Sequence, residues 1–195
     1  MLPNFSLDFH PVLVLPGDYE ILDFTTPKSD FAPHRSPYTI GRYNEKRVGL
    51  YTHALFAGRR DNHIGIDLGA PQGTSVHSFF EGEIYRLADN DRPGDYGPTL
   101  VTRHILQGVE LYALYGHLSR RSLIGKRRGQ PIRFGEIIAS IGTTEENGGW
   151  PPHVHFQLGL VAPEGADMPG TVSDEELDAA LKIFPDPRTV LGPLY

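Results

Sequence analysis

Between His63 and Leu160, glycine and proline clusters cut the chain into short apolar runs, and no run of helical period matches them in length. The runs are Ile64–Leu68, Gly82–Leu87, Leu100–His104, Glu110–Tyr115, Glu136–Ile141 and Val154–Leu160. Between them stand Ala70-Pro71-Gln72-Gly73, Arg92-Pro93-Gly94, Gly129-Gln130-Pro131 and Asn147-Gly148-Gly149, all turn formers. Short strands joined by tight turns make an antiparallel, mainly β assembly the expected fold class. With Gly 22 and Pro 17 in 195 residues, the same punctuation holds for the chain as a whole.

One helix is signalled, near the C-terminus. Ser173 and Glu176 have the spacing of a capping box. Leu177, Ala180 and Leu181 follow as a narrow apolar stripe, and Pro185 and Pro187 end it. Residues 1–48 are rich in proline and aromatics without clean periodicity and read as an N-terminal segment wrapping the domain. Residues 49–162 form the β domain and 163–195 the helix and tail, in one compact domain overall.

The formal net charge of -6 speaks against a nucleic-acid partner. The absence of cysteine excludes disulfides, iron–sulfur clusters and thiolate zinc sites. No stretch reaches the roughly 20 apolar residues of a membrane span. Without a basic, apolar leader, the chain as given reads as cytoplasmic; an envelope location follows if a leader precedes it.

Three places carry chemistry. In His63-Ile64-Gly65-Ile66-Asp67, read as a strand, His63, Gly65 and Asp67 share one face and the isoleucines share the other. In His153-Val154-His155-Phe156-Gln157-Leu158, the two imidazoles and Gln157 face one way and Val154, Phe156 and Leu158 the other. Imidazoles at this spacing stand roughly 6–7 Å apart along a strand. That suits one metal ligand and one neighbouring acid or base. The third place is Tyr115-Gly116-His117-Leu118-Ser119, after an apolar strand. Two imidazoles and a carboxylate make three zinc ligands and leave a position open, as catalytic zinc sites do. The remaining imidazoles can move a proton or stabilise an oxyanion. His10, His34, His53, His77 and His104 stand alone and read as structural or solvated. A serine elbow, a phosphate-binding loop and a helical zinc-protease motif are all absent from the sequence.

In this order, H-x-x-x-D, Y-G-H-L-S and H-x-H-F resemble the motif set of the lysostaphin-type, LytM-like zinc metallopeptidases. Gly69-Ala70-Pro71 with Gly73-Thr74-Ser75-Val76, Gly82-Glu83-Ile84, Gly135-Glu136-Ile137-Ile138 and Ile141-Gly142 resemble flanking segments of that family. The resemblance covers roughly residues 60 to 160. It implies a two-sheet antiparallel β sandwich or barrel of the duplicated hybrid motif type. It implies one Zn²⁺ per chain on His63, Asp67 and His155, with His117 and His153 as catalytic histidines. The activity it implies is hydrolysis of a peptide or amide bond, on a peptide or peptidoglycan-like substrate. Some latent members use an upstream asparagine as an inhibitory fourth ligand, which would make Asn44 a candidate. The loop Asn147–Pro152 is bulkier than the family's usual turn. With Gly41-Arg42-Tyr43-Asn44-Glu45 it is similar to a branch fused to phosphotransferase and aminotransferase enzymes, where the substrate need not be peptidoglycan.

Other candidates are Arg42 and Arg47, which would line the cleft and hold a substrate carboxylate, and Trp150, as a cleft wall or a packing residue. The basic run Arg120, Arg121, Lys126, Arg127 and Arg128 reads as a solvated loop or as a docking patch for an anionic substrate. Two other functions compete: a hydrolase of a small cytosolic amide, and a non-catalytic binding or activator domain of the same fold.

Overall fold

The computed structural model describes residues 5–26, 35–56 and 58–195. His34 lies outside them. The strands are β1 (Glu20–Ile21), β2 (Thr39–Gly41), β3 (Glu45–Lys46), β4 (Asn62–His63), β5 (Ile66–Gly69), β6 (Ser75–His77), β7 (Gly82–Asn90), β8 (Gly97–Leu106), β9 (Val109–Gly116), β10 (Pro131–Ile132), β11 (Ile137–Ser140), β12 (His153–Gly159) and β13 (Thr171–Val172). Two helices follow, α1 (Asp174–Ile183) and α2 (Arg188–Leu191).

The protein is mainly β. An eight-stranded sheet runs in the order β1-β2-β5-β12-β9-β8-β7-β10, beside a two-stranded sheet, β11-β6, and a three-stranded one, β13-β4-β3. These sheets do not close into a barrel. Among the described residues pairing is antiparallel except at the edge, where β1 pairs parallel with β2, Glu20 opposite Thr39. A parallel pair needs a crossover connection rather than a tight hairpin.

The long meander β7–β8–β9 follows from turn chemistry. Gln107 and Gly108 both take positive φ, 49° and 86°, the two-residue turn whose twist matches paired strands. Strand β12 lies between β5 and β9, and its alternation sets up the site. Val154, Phe156 and Leu158 enter the main core with Ile66, Leu68 and Tyr115. Each fully buried side chain of this size contributes about 1.5–3 kcal/mol. Val76, Ile138 and Ala139 of the two-stranded sheet cover the same core, making the second layer of a sandwich. His155 and Gln157 then point to the opposite face.

Ile64–Leu68 is not one strand. The chain breaks at Ile64–Gly65, where the Ile64 N–H donates to the Gly170 carbonyl at 2.8 Å. Ile64 packs with Val172 and Ala180, while Ile66 and Leu68 enter the main core. One apolar face on the sequence therefore serves two cores, and His63 and Asp67 stand on strands of different sheets.

Helix α1 has the capping box, with the Ser173 N–H donating to Glu176 Oε2 at 3.0 Å. Its stripe of Leu177, Ala180 and Leu181 packs on Ile64 and Val172. The helix ends at Ile183, ahead of Pro185 and Pro187 as expected, and Pro187 then stands as the N-cap of a further short helix, α2. No helix among the described residues is long and apolar enough to cross a membrane.

Candidate metal centre and cleft

Register brings the three candidate ligands together. Asp67 on β5 is paired with His155 on β12, and His63 on β4 is paired with Glu45 on β3 and Thr171 on β13. His63 Nε2 lies 3.1 Å from His155 Nδ1 and 3.2 Å from Asp67 Oδ1, and His155 Nδ1 lies 3.0 Å from the same oxygen. Atoms about 2.0–2.1 Å from one tetrahedral ion stand roughly 3.3 Å apart. Gly65 makes room for this triangle, since a Cβ there would lie 2.5 Å from His155 Cε1.

Hydrogen bonds on the far side of each ring fix the tautomers. A carbonyl only accepts, so His63 Nδ1–H donates to the Arg42 carbonyl at 2.8 Å, which leaves Nε2 with a bare lone pair. Gln157 donates its amide Nε2 to the Pro169 carbonyl, so its Oε1 faces His155 Nε2–H at 3.0 Å. His155 Nδ1 is then bare as well. Two imidazole lone pairs and a carboxylate oxygen converge with no proton among them. This is a repulsive arrangement for a protein alone and a fitting one for a divalent cation.

The electrostatics agree. Burial, followed by the Arg47 charge, pushes His63 down to about 4. Burial raises Asp67, but the neighbouring His63 and Arg47 outweigh it and hold the carboxyl well below its usual range. His104 lies outside the site, between Thr102 and the Glu81 carbonyl, and burial also lowers it to about 4.

These depressed histidines make a prediction for the metal-free protein. An imidazole whose folded pKa lies below its unfolded value of about 6.5 stabilises the fold above that pH, and the stability is lost as pH falls toward the folded pKa. For His63 and His104 the window runs from about 6.5 to about 4. Near pH 5 their combined contribution is expected to fall by roughly 2–3 kcal/mol per pH unit. Urea unfolding at pH 7, 6 and 5 checks this; constant stability over that range would contradict it.

His117 and His153 complete the polar face. Their rings stand 4.2 Å apart, centroid to centroid. His117 Nδ1–H donates to the Asn147 carbonyl at 2.9 Å and His153 Nδ1–H to the Pro151 carbonyl at 2.7 Å, so each presents a bare Nε2. Burial depresses both, His117 the more strongly. His117 sits at φ 63°, a left-handed turn that swings its ring off the end of β9 toward His153.

A cleft of about 870 Å³ opens over these groups. Trp150 is part of its wall, with Tyr51 and Phe56 at ring-centroid distances of 6.0 and 6.3 Å. Arg42 does not line the cleft; its guanidinium pairs with Asp23 at 3.5 Å and Glu45 at 3.7 Å, and its carbonyl serves His63. Asn44 is exposed in a left-handed turn at φ 51°, its N–H bonded to the His63 carbonyl, and stands outside the group of converging donors. In the basic run, Arg120 pairs with Asp89 and Arg128 lies over Tyr85; none of the run lines the cleft.

Arg47 lines the cleft as expected, but its guanidinium is not free for a substrate carboxylate. It is buried against Asp67, with Nη1 2.6 Å from Oδ2, and its position upstream of the motifs gave no sign of that contact. Gln157 was legible as a member of the His face, though not as the group that sets the His155 tautomer.

Residues 61–164 match Peptidase family M23. The DD-carboxypeptidase/endopeptidase Mpg of Neisseria meningitidis serogroup B is 40% identical over 95 residues, 49% of this chain and 19% of that protein. A metalloprotease of Haemophilus influenzae, described as uncharacterized, is 34% identical over 120 residues, 60% of this chain and 23% of that protein. The chain thus spans about a fifth of the length of these curated relatives. Among solved structures, the catalytic domain of the prophage-encoded M23 protein EnpA from Enterococcus faecalis is 28% identical, with TM-score 0.49, covering 74% of this chain and 95% of that one. The catalytic domain of lysostaphin from Staphylococcus simulans is 21% identical, with TM-score 0.48, covering 73% and 92%.

Proposed function

The chain belongs to peptidase family M23, and on that premise we propose that it is a zinc-dependent hydrolase of peptide or amide bonds, an endopeptidase or amidase. The observation that carries this reading is the proton-free convergence of His63 Nε2, His155 Nδ1 and Asp67 Oδ1. When bound, zinc polarises the scissile carbonyl and lowers the pKa of water toward about 7.

The rest falls to the chain's own residues. His63, Asp67 and His155 hold one ion. His117 and His153, neutral and bare at Nε2, accept the proton of the attacking water and return it to the leaving amine. Once protonated, the pair faces the developing oxyanion with positive charge. The aromatic wall of Tyr51, Phe56 and Trp150 excludes water and orients the substrate. A peptidoglycan-like peptide is the substrate class, supported by the named activity of the Neisseria relative.

Incubating the zinc-loaded protein with purified peptidoglycan and synthetic cross-bridge peptides tests the reading. Mass spectrometry is expected to find one new amine and one new carboxyl end per cleavage, lost with chelator and restored by zinc. If no peptide or amide in the panel is cut, the non-catalytic reading of the fold takes over.

A further inference from the structure

Arg47 lies upstream of residues 61–164, the segment that matches the family, yet it is built into the metal centre. Its side chain is only 3% exposed. Every side of the guanidinium is engaged: Nε donates to Glu45 Oε2 at 3.2 Å, Nη1 to Asp67 Oδ2 at 2.6 Å and to Tyr51 Oη at 3.0 Å, and Nη2 to the Arg42 carbonyl at 3.4 Å. An arginine so committed is not available to a substrate carboxylate. Burying it is costly, and its contacts must return that cost.

Two of those contacts reach candidate ligands. Asp67 Oδ2 is taken by Arg47, so the carboxylate offers only Oδ1 to the space between His63 and His155. The Arg42 carbonyl that Nη2 approaches is the one that receives His63 Nδ1–H. Gly41, paired with Asp67 across the sheet, keeps the space open: a Cβ there would lie 2.6 Å from Arg47 Nη2 and 3.0 Å from Asp67 Oδ2.

We propose that Arg47 is a positioning residue of the metal centre. It holds Asp67 to a single free oxygen and, through the Arg42 carbonyl, holds His63 in the tautomer that leaves Nε2 bare. The inference rests on the metal reading above. It makes the upstream segment a working part of the site. Through Tyr51, which stacks on Phe56 at 4.8 Å, it also ties the aromatic wall of the cleft to a metal ligand. Lysine cannot replace the guanidinium, because a point charge does not reach Asp67, Glu45, Tyr51 and the Arg42 carbonyl together.

The test is zinc affinity, measured by competition with a chromophoric chelator, together with the visible spectrum of the cobalt(II)-substituted protein. The proteins are the wild type, Arg47→Lys, which keeps the buried charge, and the double variant Glu45→Gln/Arg47→Met, which removes both buried partners. Both variants are expected to bind zinc about 10–100-fold more weakly. Their cobalt bands are expected to shift as Asp67 Oδ2 is released, while the circular dichroism of the metal-free proteins stays that of the wild type. A role in folding alone would lower the melting temperature of the metal-free protein and leave affinity and spectrum unchanged. Affinity within about threefold of wild type with an unshifted cobalt band would overturn the proposal. A wild-type chain that binds no zinc would overturn the metal reading itself.

Discussion

His155→Ala is expected to remove bound zinc and peptide hydrolysis together. His155 supplies one of three converging donor atoms, and it is the one in closest contact with both others, 3.1 Å from His63 Nε2 and 3.0 Å from Asp67 Oδ1. If three protein ligands share a binding free energy of roughly 10–16 kcal/mol, losing one weakens binding by about 10²–10⁴-fold. The residue is buried, so alanine also leaves a cavity. Circular dichroism must therefore show the variant folded before its zinc content is read. Full zinc occupancy in folded His155→Ala would remove His155 from the ligand set.

His117→Ala is expected to do the opposite: keep the zinc and lose turnover by about 10²–10⁴-fold, the range of general acid–base catalysis. His117 is outside the converging group, yet its bare Nε2 stands over the cleft beside His153. Its φ of 63° is a conformation that alanine adopts at a cost of roughly 1–2 kcal/mol. Asparagine tolerates that conformation, so His117→Asn separates lost chemistry from lost backbone geometry. Turnover equal to wild type in either folded variant would take proton transfer away from this residue.

The sequence was most informative where one strand determines the outcome. On β12 the alternation of His153, His155 and Gln157 with Val154, Phe156 and Leu158 is visible in the residues. The structure buries the apolar three in the main core and leaves the polar three facing the cleft side. Helix α1 was equally legible, because a capping box and an apolar stripe are local signals. His63 and Asp67 were legible as a pair but not as a geometry. Alternation within Ile64–Leu68 looks like one strand, and only the Ile64-to-Gly170 hydrogen bond and the second small core reveal the break. Arg42, Asn44 and Arg47 show the limit most clearly. All three are polar residues upstream of the motifs, and nothing local distinguishes them. Tertiary placement gives one a carbonyl beneath His63, leaves one exposed, and buries one against Asp67. The parallel β1–β2 edge and the helical turn after Pro187 likewise depend on where the chain returns, rather than on residue pattern.

Native mass spectrometry of the wild-type chain, purified without chelator and measured again after zinc is added back, tests the metal centre most directly. One zinc per chain is the expected result, on a site whose lone-pair donors are His63, Asp67 and His155. A wild-type protein that stays metal-free at saturating zinc would contradict it, and the converging imidazoles would then belong to a binding domain without this chemistry.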